Sequence, residues 1–264
     1  MNVVIDIGNT AAKLAVFKKH KLLWIYHAGQ PIDLRTFEKQ KFELSDSIVS
    51  SVVKLPEEKQ LFKLLTDNTS LTRFTHKTPL PFINRYKTPA TLGLDRLAAV
   101  AGAWKRFPNK NVLVIDAGTC VKYDFINAKG QYLGGSISPG LQMRFDAMHN
   151  FTNRLPLIRP EEIKSLTGDS TNNSMLTGAI LGIINEIGGF IALYKSKYKN
   201  LKVILTGGDA EFLGRQLRTL KVFPTSLKNS IFAAYLMVLT SAPYLTLEGL
   251  NEILLHNIKI KKGH

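Results

Sequence analysis

The sequence predicts an α/β protein built from two related halves, on three observations. Apolar, β-branched runs alternate with turn residues at the start of the chain. A helical stripe closes that first part, and the opening pattern then returns. Val4-Ile5-Asp6-Ile7-Gly8-Asn9-Thr10 and Val114-Ile115-Asp116-Ala117-Gly118-Thr119 share one order: apolar strand, Asp, small turn, Thr, further apolar run. The separation from Asp6 to Asp116 is far too long for a solenoid repeat and fits a duplicated unit. Pro108-Asn109 marks the boundary, giving lobes of 1–108 and 109–264.

In the first half, residues 2–7, 13–18 and 22–27 are rich in Val, Ile, Phe and Tyr and read as strands, with Gly8-Asn9-Thr10 as a turn. Residues 48–53 read as a buried strand and 57–66 as a helix. Over 96–107, Leu97, Val100, Ala101 and Trp104 fall at i, i+3, i+4 and i+7, the spacing of one helix face. In the second half, 111–116, 121–127 and 131–138 read as strands, and Pro139 suits the first turn of a helix. Residues 173–196 form a long helix with Leu176, Ile180, Ile183, Ile184, Ile187, Ile191 and Tyr194 on one face. Gly178, Gly182 and Gly189 lie on another side, where backbone can meet backbone in the core or on a second subunit. Residues 201–205 are a strand, 206–209 a turn, and 210–217 and 226–239 helices; the basic tail from Lys259 onward reads as frayed.

With 264 residues, 45% apolar and 21% charged, the chain can bury a core and is not disordered. Its one cysteine, Cys120, excludes an internal disulfide and a Cys-based zinc cage and fits a reducing, cytoplasmic compartment. Cys120 itself reads as a packed thiol. The net charge of +15 reflects either a solvated cationic surface or an anionic partner such as a nucleotide. Helix-turn-helix, RNA-recognition and zinc signatures are lacking, so nucleic acid is not expected as a partner. Nor is a membrane: residues 176–194 carry Asn185 and Glu186 at their centre, 231–240 is too short to span, and Asp6 interrupts any secretory core.

Three glycine turns follow three apolar strands: Asp6-Ile7-Gly8-Asn9-Thr10, Asp116-Ala117-Gly118-Thr119 and Thr206-Gly207-Gly208-Asp209. Each alone is a common tight turn; together, in this order, they point to a polyphosphate. Glycine turns present backbone N–H groups to phosphate oxygens and let the main chain come close to the anion. Thr10 and Thr119 add hydroxyl donors and Lys13 a fixed cation. Asp6 and Asp116 offer hard oxygen ligands to Mg²⁺ or another cation. Neither turn matches the P-loop or the dinucleotide fingerprint.

The paired hairpins with a later Gly-Gly turn resemble the actin, hexokinase and heat-shock ATPase superfamily. That resemblance implies a duplicated actin-like (ribonuclease H-like) ATPase fold, with a mixed, helix-flanked β-sheet in each lobe and ATP held by the two hairpins. A closer likeness runs along nearly the whole chain. Residues 6–13, Gly93-Leu94-Asp95-Arg96, Asp116-Ala117-Gly118-Thr119, Gly134-Gly135-Ser136-Ile137-Ser138-Pro139-Gly140 and Thr206-Gly207-Gly208-Asp209 resemble, in order, the motifs of the type III pantothenate kinases.

The likeness implies ATP-dependent phosphorylation of pantothenate by a homodimer, the entry to coenzyme A, with Mg²⁺ on the nucleotide and a monovalent cation, K⁺ or NH₄⁺. Asp95 is implied as general base on the substrate hydroxyl. Tyr86, Gly93, Leu94, Arg96 and Thr171 are implied as pantothenate contacts, and Asp116 as the monovalent-cation ligand. Asp6, Ile7, Gly8, Asn9, Thr10, Ala11, Ala12, Lys13 and Thr119 are implied as ATP contacts. Structural roles stand beside these: Asp95-Arg96 as an ion pair at a helix start, Tyr86 as core, Thr171 as a helix N-cap. The resemblance also leaves open a non-catalytic, nucleotide-binding transcription-accessory member of the same fold (Bvg accessory factor-like), but the presence of Lys13, Asp95 and Asp116 favours an enzyme. One departure is Cys120-Val121-Lys122-Tyr123-Asp124, where Lys122 replaces a small polar residue; strand alternation turns it toward solvent.

Overall fold

Val3, Val4 and Ile5 succeed one another without alternation because their strand is covered on both faces. This strand is β1 (Asn2–Ile7) of a computed structural model that describes residues 1–8, 12–28, 42–51, 58–219 and 239–263. It pairs antiparallel with β2 (Ala12–Lys18) and parallel with β4 (Asp46–Ser51). With β3 (Lys21–Ala28) and β5 (Ser70–Arg73) the order is β3-β2-β1-β4-β5. Helix α1 (Glu58–Asn68) sets Leu61, Phe62 and Leu65 into the core under this sheet.

Helix α2 (Leu94–Arg106) carries the predicted stripe and packs on α6 (Leu245–Lys261), which sequence periodicity did not reveal. The two helices meet backbone to backbone: a Cβ on Gly249 would lie 1.7 Å from the Ala98 carbonyl oxygen, and one on Gly102 2.5 Å from that of Leu245. For that reason residues 244–264, placed in the second lobe by the sequence pattern, group with 1–108 and 130–133 as one compact unit. The basic tail is helical through Lys261 rather than frayed from Lys259.

The other unit comprises 109–129 and 134–243. Its strands are β7 (Val112–Ala117), β8 (Cys120–Ile126), β9 (Gln131–Pro139) from Gly134 onward, β10 (Lys202–Thr206) and β11 (Leu239–Ser241). The order β9-β8-β7-β10-β11 repeats β3-β2-β1-β4-β5, again with an antiparallel hairpin and then two parallel neighbours. This is the duplication that the repeated motif announces. The opening residues of β9 pair with the short strand β6 (Ile83–Asn84).

Pro139 ends β9 rather than opening a helix; Gly140 is the N-cap of α3 (Leu141–Asn150). Helix α4 (Thr171–Lys197) places Ile180, Ile183, Ile184, Ile187 and Ile191 in a core with Leu113, Ile115 and Phe125. By length and composition α4 could cross a membrane, but half of its most apolar window is buried inside the unit. Helix α5 (Ala210–Thr219) completes the described helices. The expected helix at 226–239 lies outside the described residues except Leu239, which begins β11.

Candidate active site

In the first hairpin, Asp6 and Lys13 stand directly opposite each other across β1 and β2. Opposed residues of an antiparallel pair share one face of the sheet, so the carboxylate and the ammonium emerge together. Ile7 and Ala12 flank the turn and are 1% and 0% exposed, packed into the core of their unit. Gly8 is half-buried at the strand end. Asn9, Thr10 and Ala11, expected to contact ATP, lie outside the described residues.

The segment expected to meet pantothenate is assembled at the start of α2. Gly93 is the N-cap, Leu94 opens the helix and Asp95 lies in its first turn, where the helix dipole favours an anion. A side chain on Gly93 would displace the carboxylate: a Cβ would fall 2.5 Å from Asp95 Oδ1. The carboxylate therefore folds back over the glycine. Just before it, His76 Nε2–H donates to the Leu92 carbonyl at 2.7 Å and ties down the approach to the helix.

Arg96 is 5% exposed, and its guanidinium lies 5.6 Å from the ring centroid of Tyr86. That distance allows a cation–π contact. Tyr86 in turn stacks on Tyr132, with centroids 6.1 Å apart and planes 19° from parallel. Its backbone N–H donates to Asn84 Oδ1 at 2.9 Å. Four expected residues, Tyr86, Gly93, Asp95 and Arg96, thus form one group. Tyr132, buried beneath it, was missed because nothing in sequence links it to Tyr86; the link is the β6–β9 register, which sets Asn84 opposite Tyr132.

The second hairpin turns through Gly118 and Thr119 between β7 and β8. The Gly118 N–H donates to the Cys120 carbonyl at 3.1 Å, so the turn holds this amide for itself. Open space lies over the Gly118 α-carbon, and Thr119 is exposed. The hairpin rests on the start of α3, where the Gly140 N–H donates to the Thr119 carbonyl at 3.1 Å.

The Gly-Gly turn seats on the end of β7. Gly207 has φ +97°, and a Cβ there would lie 2.1 Å from the Ala117 carbonyl oxygen and 2.6 Å from Asp116 Oδ1. The Asp209 N–H donates to the same carbonyl at 2.9 Å. Burial pushes the Asp209 carboxyl above the usual aspartate range.

Lys122 corrects the expectation that it points to solvent. It stands opposite Asp116 in the β7–β8 register, and its ammonium lies 2.7 Å from Asp116 Oδ2. The two side chains are 18% and 19% exposed. Lys122 therefore occupies in this hairpin the place that Lys13 occupies opposite Asp6 in the first. The second loop is one residue shorter, which hides the equivalence in the sequence.

Thr171 opens α4 and is exposed, but it is not the cap: Ser170 is, its Oγ accepting the Asn173 N–H at 3.3 Å. Further along α4, the Glu186 carboxylate accepts hydrogen bonds from Tyr123 Oη at 2.7 Å, from Ser138 Oγ at 2.9 Å and from Arg144. Burial works against its charge, yet these donors outweigh burial and hold the carboxyl below the ordinary glutamate range.

Among the described residues, no three His, Cys, Asp or Glu side chains come together as a metal cage. Mg²⁺ does not require one. It is usually held by one or two carboxylates together with the phosphates of its nucleotide, and the half-buried Asp6 at the end of β1 fits that need.

The family model for the type III pantothenate kinases matches residues 2–193. The chain belongs to that family. The type III pantothenate kinase of Bacteroides fragilis is 44% identical over 260 residues, covering 97% of this chain and 98% of that protein. That of Flavobacterium johnsoniae is 44% identical over 236 residues, covering 88% and 92%. Among solved structures, a conserved Baf-family protein from Campylobacter jejuni has a TM-score of 0.57 at 19% identity, covering 97% of this chain and 99% of its own. The Lmo2764 protein of Listeria monocytogenes has a TM-score of 0.54 at 13% identity over the same shares. Likeness at that level speaks to fold alone, and the fold is the two-lobed actin-like ATPase fold that the sequence of this type III pantothenate kinase family member implies.

Proposed function

We propose that this chain transfers the γ-phosphoryl group of ATP to the primary hydroxyl of pantothenate, giving 4′-phosphopantothenate. The observation that carries this reading is the Asp95 carboxylate, folded over Gly93 at the head of α2 beside Arg96 and Tyr86. A carboxylate in that position can accept the hydroxyl proton as the P–O bond forms and can orient the oxygen beforehand. Arg96, braced under the Tyr86 ring, lines the substrate pocket with Gly93 and Leu94, and Thr171 contributes a hydroxyl.

Residues 6–13 and Thr119 contact ATP, with Lys13 spreading the charge of the moving phosphoryl group. Phosphoryl transfer draws its acceleration mainly from positioning and charge neutralisation, which is what such a set provides. Mg²⁺, when bound with ATP, neutralises the polyphosphate, and Asp6 is the side chain we assign to it. ATP as donor fits a cytoplasmic location. We take the working form to be a homodimer joined along the outer side of α4, where Gly178 and Gly189 face open space and Leu193 is 68% exposed.

A coupled ADP-release assay with and without pantothenate tests the reading. ADP release that depends on pantothenate is the expected result. A protein that binds ATP yet releases no ADP when pantothenate is added would instead be a non-catalytic, transcription-accessory member of the family.

A further inference from the structure

The family likeness implies a monovalent cation at Asp116, and the groups around Asp116 do not fit one. Its Oδ2 is already held by the Lys122 ammonium at 2.7 Å. Its Oδ1 lies so close to Gly207 that even a Cβ there would approach to 2.6 Å. One edge of the carboxylate thus faces a fixed positive charge and the other faces backbone. A free K⁺ at this position would sit beside a like charge and share an oxygen that is already taken.

Taking the chain as the kinase proposed above, we propose that the Lys122 ammonium is the cation of this site, so that the enzyme neither binds nor needs K⁺ or NH₄⁺ at Asp116. A lysine side chain is a tethered alkylammonium: one positive charge and three N–H donors, the chemistry of NH₄⁺ on a four-carbon stem. The register that sets Lys122 opposite Asp116 fixes it there. The pair is mostly shielded from water, so its charge is screened less by salt than a surface pair would be. Asp116 with Lys122 presents the same net charge as a carboxylate with bound K⁺, and the entropy of capturing a free ion is avoided. The duplication supports this: Lys13 and Lys122 are matching lysines at matching hairpin positions, one opposite Asp6 and one opposite Asp116.

The test uses the full-length protein in choline chloride, KCl and NH₄Cl at equal ionic strength. Pantothenate-dependent ADP release and the melting temperature are both followed. The expected result is that wild-type rate and melting temperature are the same in all three salts. Lys122→Ala is expected to lose about 10² in rate in choline, the scale for removing one fixed charge-stabilising group. It should recover in KCl or NH₄Cl, with a melting temperature that rises with K⁺ as a bound ligand requires. Lys122→Arg, which keeps the charge, should remain indifferent to the salt. A wild-type rate that climbs and saturates with K⁺ overturns the proposal, as does a Lys122→Ala protein that responds to K⁺ in neither readout. If Lys122→Ala does not fold, the wild-type salt series decides alone. If the wild-type protein releases no ADP with pantothenate in any salt, the kinase reading fails, and the melting series still decides the role of Lys122.

Discussion

The Asp95 carboxylate lies over Gly93 so closely that a methyl group on Gly93 would stand 2.5 Å from Oδ1. Asp95, the proposed base, and the glycine two residues before it are therefore one device, and the Gly-Leu-Asp-Arg motif has a steric reason for its first residue.

Gly93→Ala should displace the Asp95 carboxylate while leaving the helix intact. A shift of about 1 Å in a catalytic group can cost about 10²-fold. We expect kcat to fall on that scale with little change in ATP affinity or melting temperature. Steady-state kinetics beside an ATP binding isotherm would check this; an unchanged kcat would detach the glycine from the base.

Asp95→Asn keeps the shape and removes the proposed proton acceptor. The expected loss in kcat is about 10²–10⁴, the range for removing a general base. ATP affinity should be retained. Turnover at the wild-type level would show that another group takes the proton.

Glu186 should make stability depend on pH. Its folded-state pKa is depressed, chiefly by Arg144 among the donors that outweigh burial. Its contribution is therefore complete above the ordinary glutamate range and disappears as the pH falls through the folded-state value. Glu186→Leu, which removes the acceptor shared by Tyr123, Ser138 and Arg144, should cost about 2 kcal/mol near neutrality. The gap from wild type should close on acidification. Asp209 opposes this trend, because burial raises its pKa and its charge costs stability near neutrality. Denaturant titrations of both proteins across the acid range would show the convergence; parallel curves would contradict it.

Gly178→Leu should break a dimer without harming the protomer. Nothing lies within 4 Å of where its side chain would begin, so the protomer has room for it. A smaller species by light scattering, with circular dichroism unchanged, is the expected outcome. Gly182 is a poorer probe, since a side chain there would start 3.5 Å from Arg144 Nη1 and press on the Glu186 network. An unaltered mass for Gly178→Leu would move the interface elsewhere.

The sequence by itself determined the duplicated α/β plan, the two Asp-x-Gly hairpins, the stripe of α2 and the Asp95-Arg96 pair at its head. These are short-range properties: apolar periodicity, turn chemistry and motif order all act within a few residues. Only the tertiary structure decided that α6 packs on α2, that Tyr132 lies under Tyr86, and that Lys122 meets Asp116 instead of water. Those outcomes depend on cross-strand register and on how closely two backbones can approach, and both bring together residues that local pattern cannot relate. Lys122 shows the difference most clearly. Alternation along β8 establishes only that it and Val121 point to opposite faces; the β7–β8 register determines that its face is the one carrying Asp116.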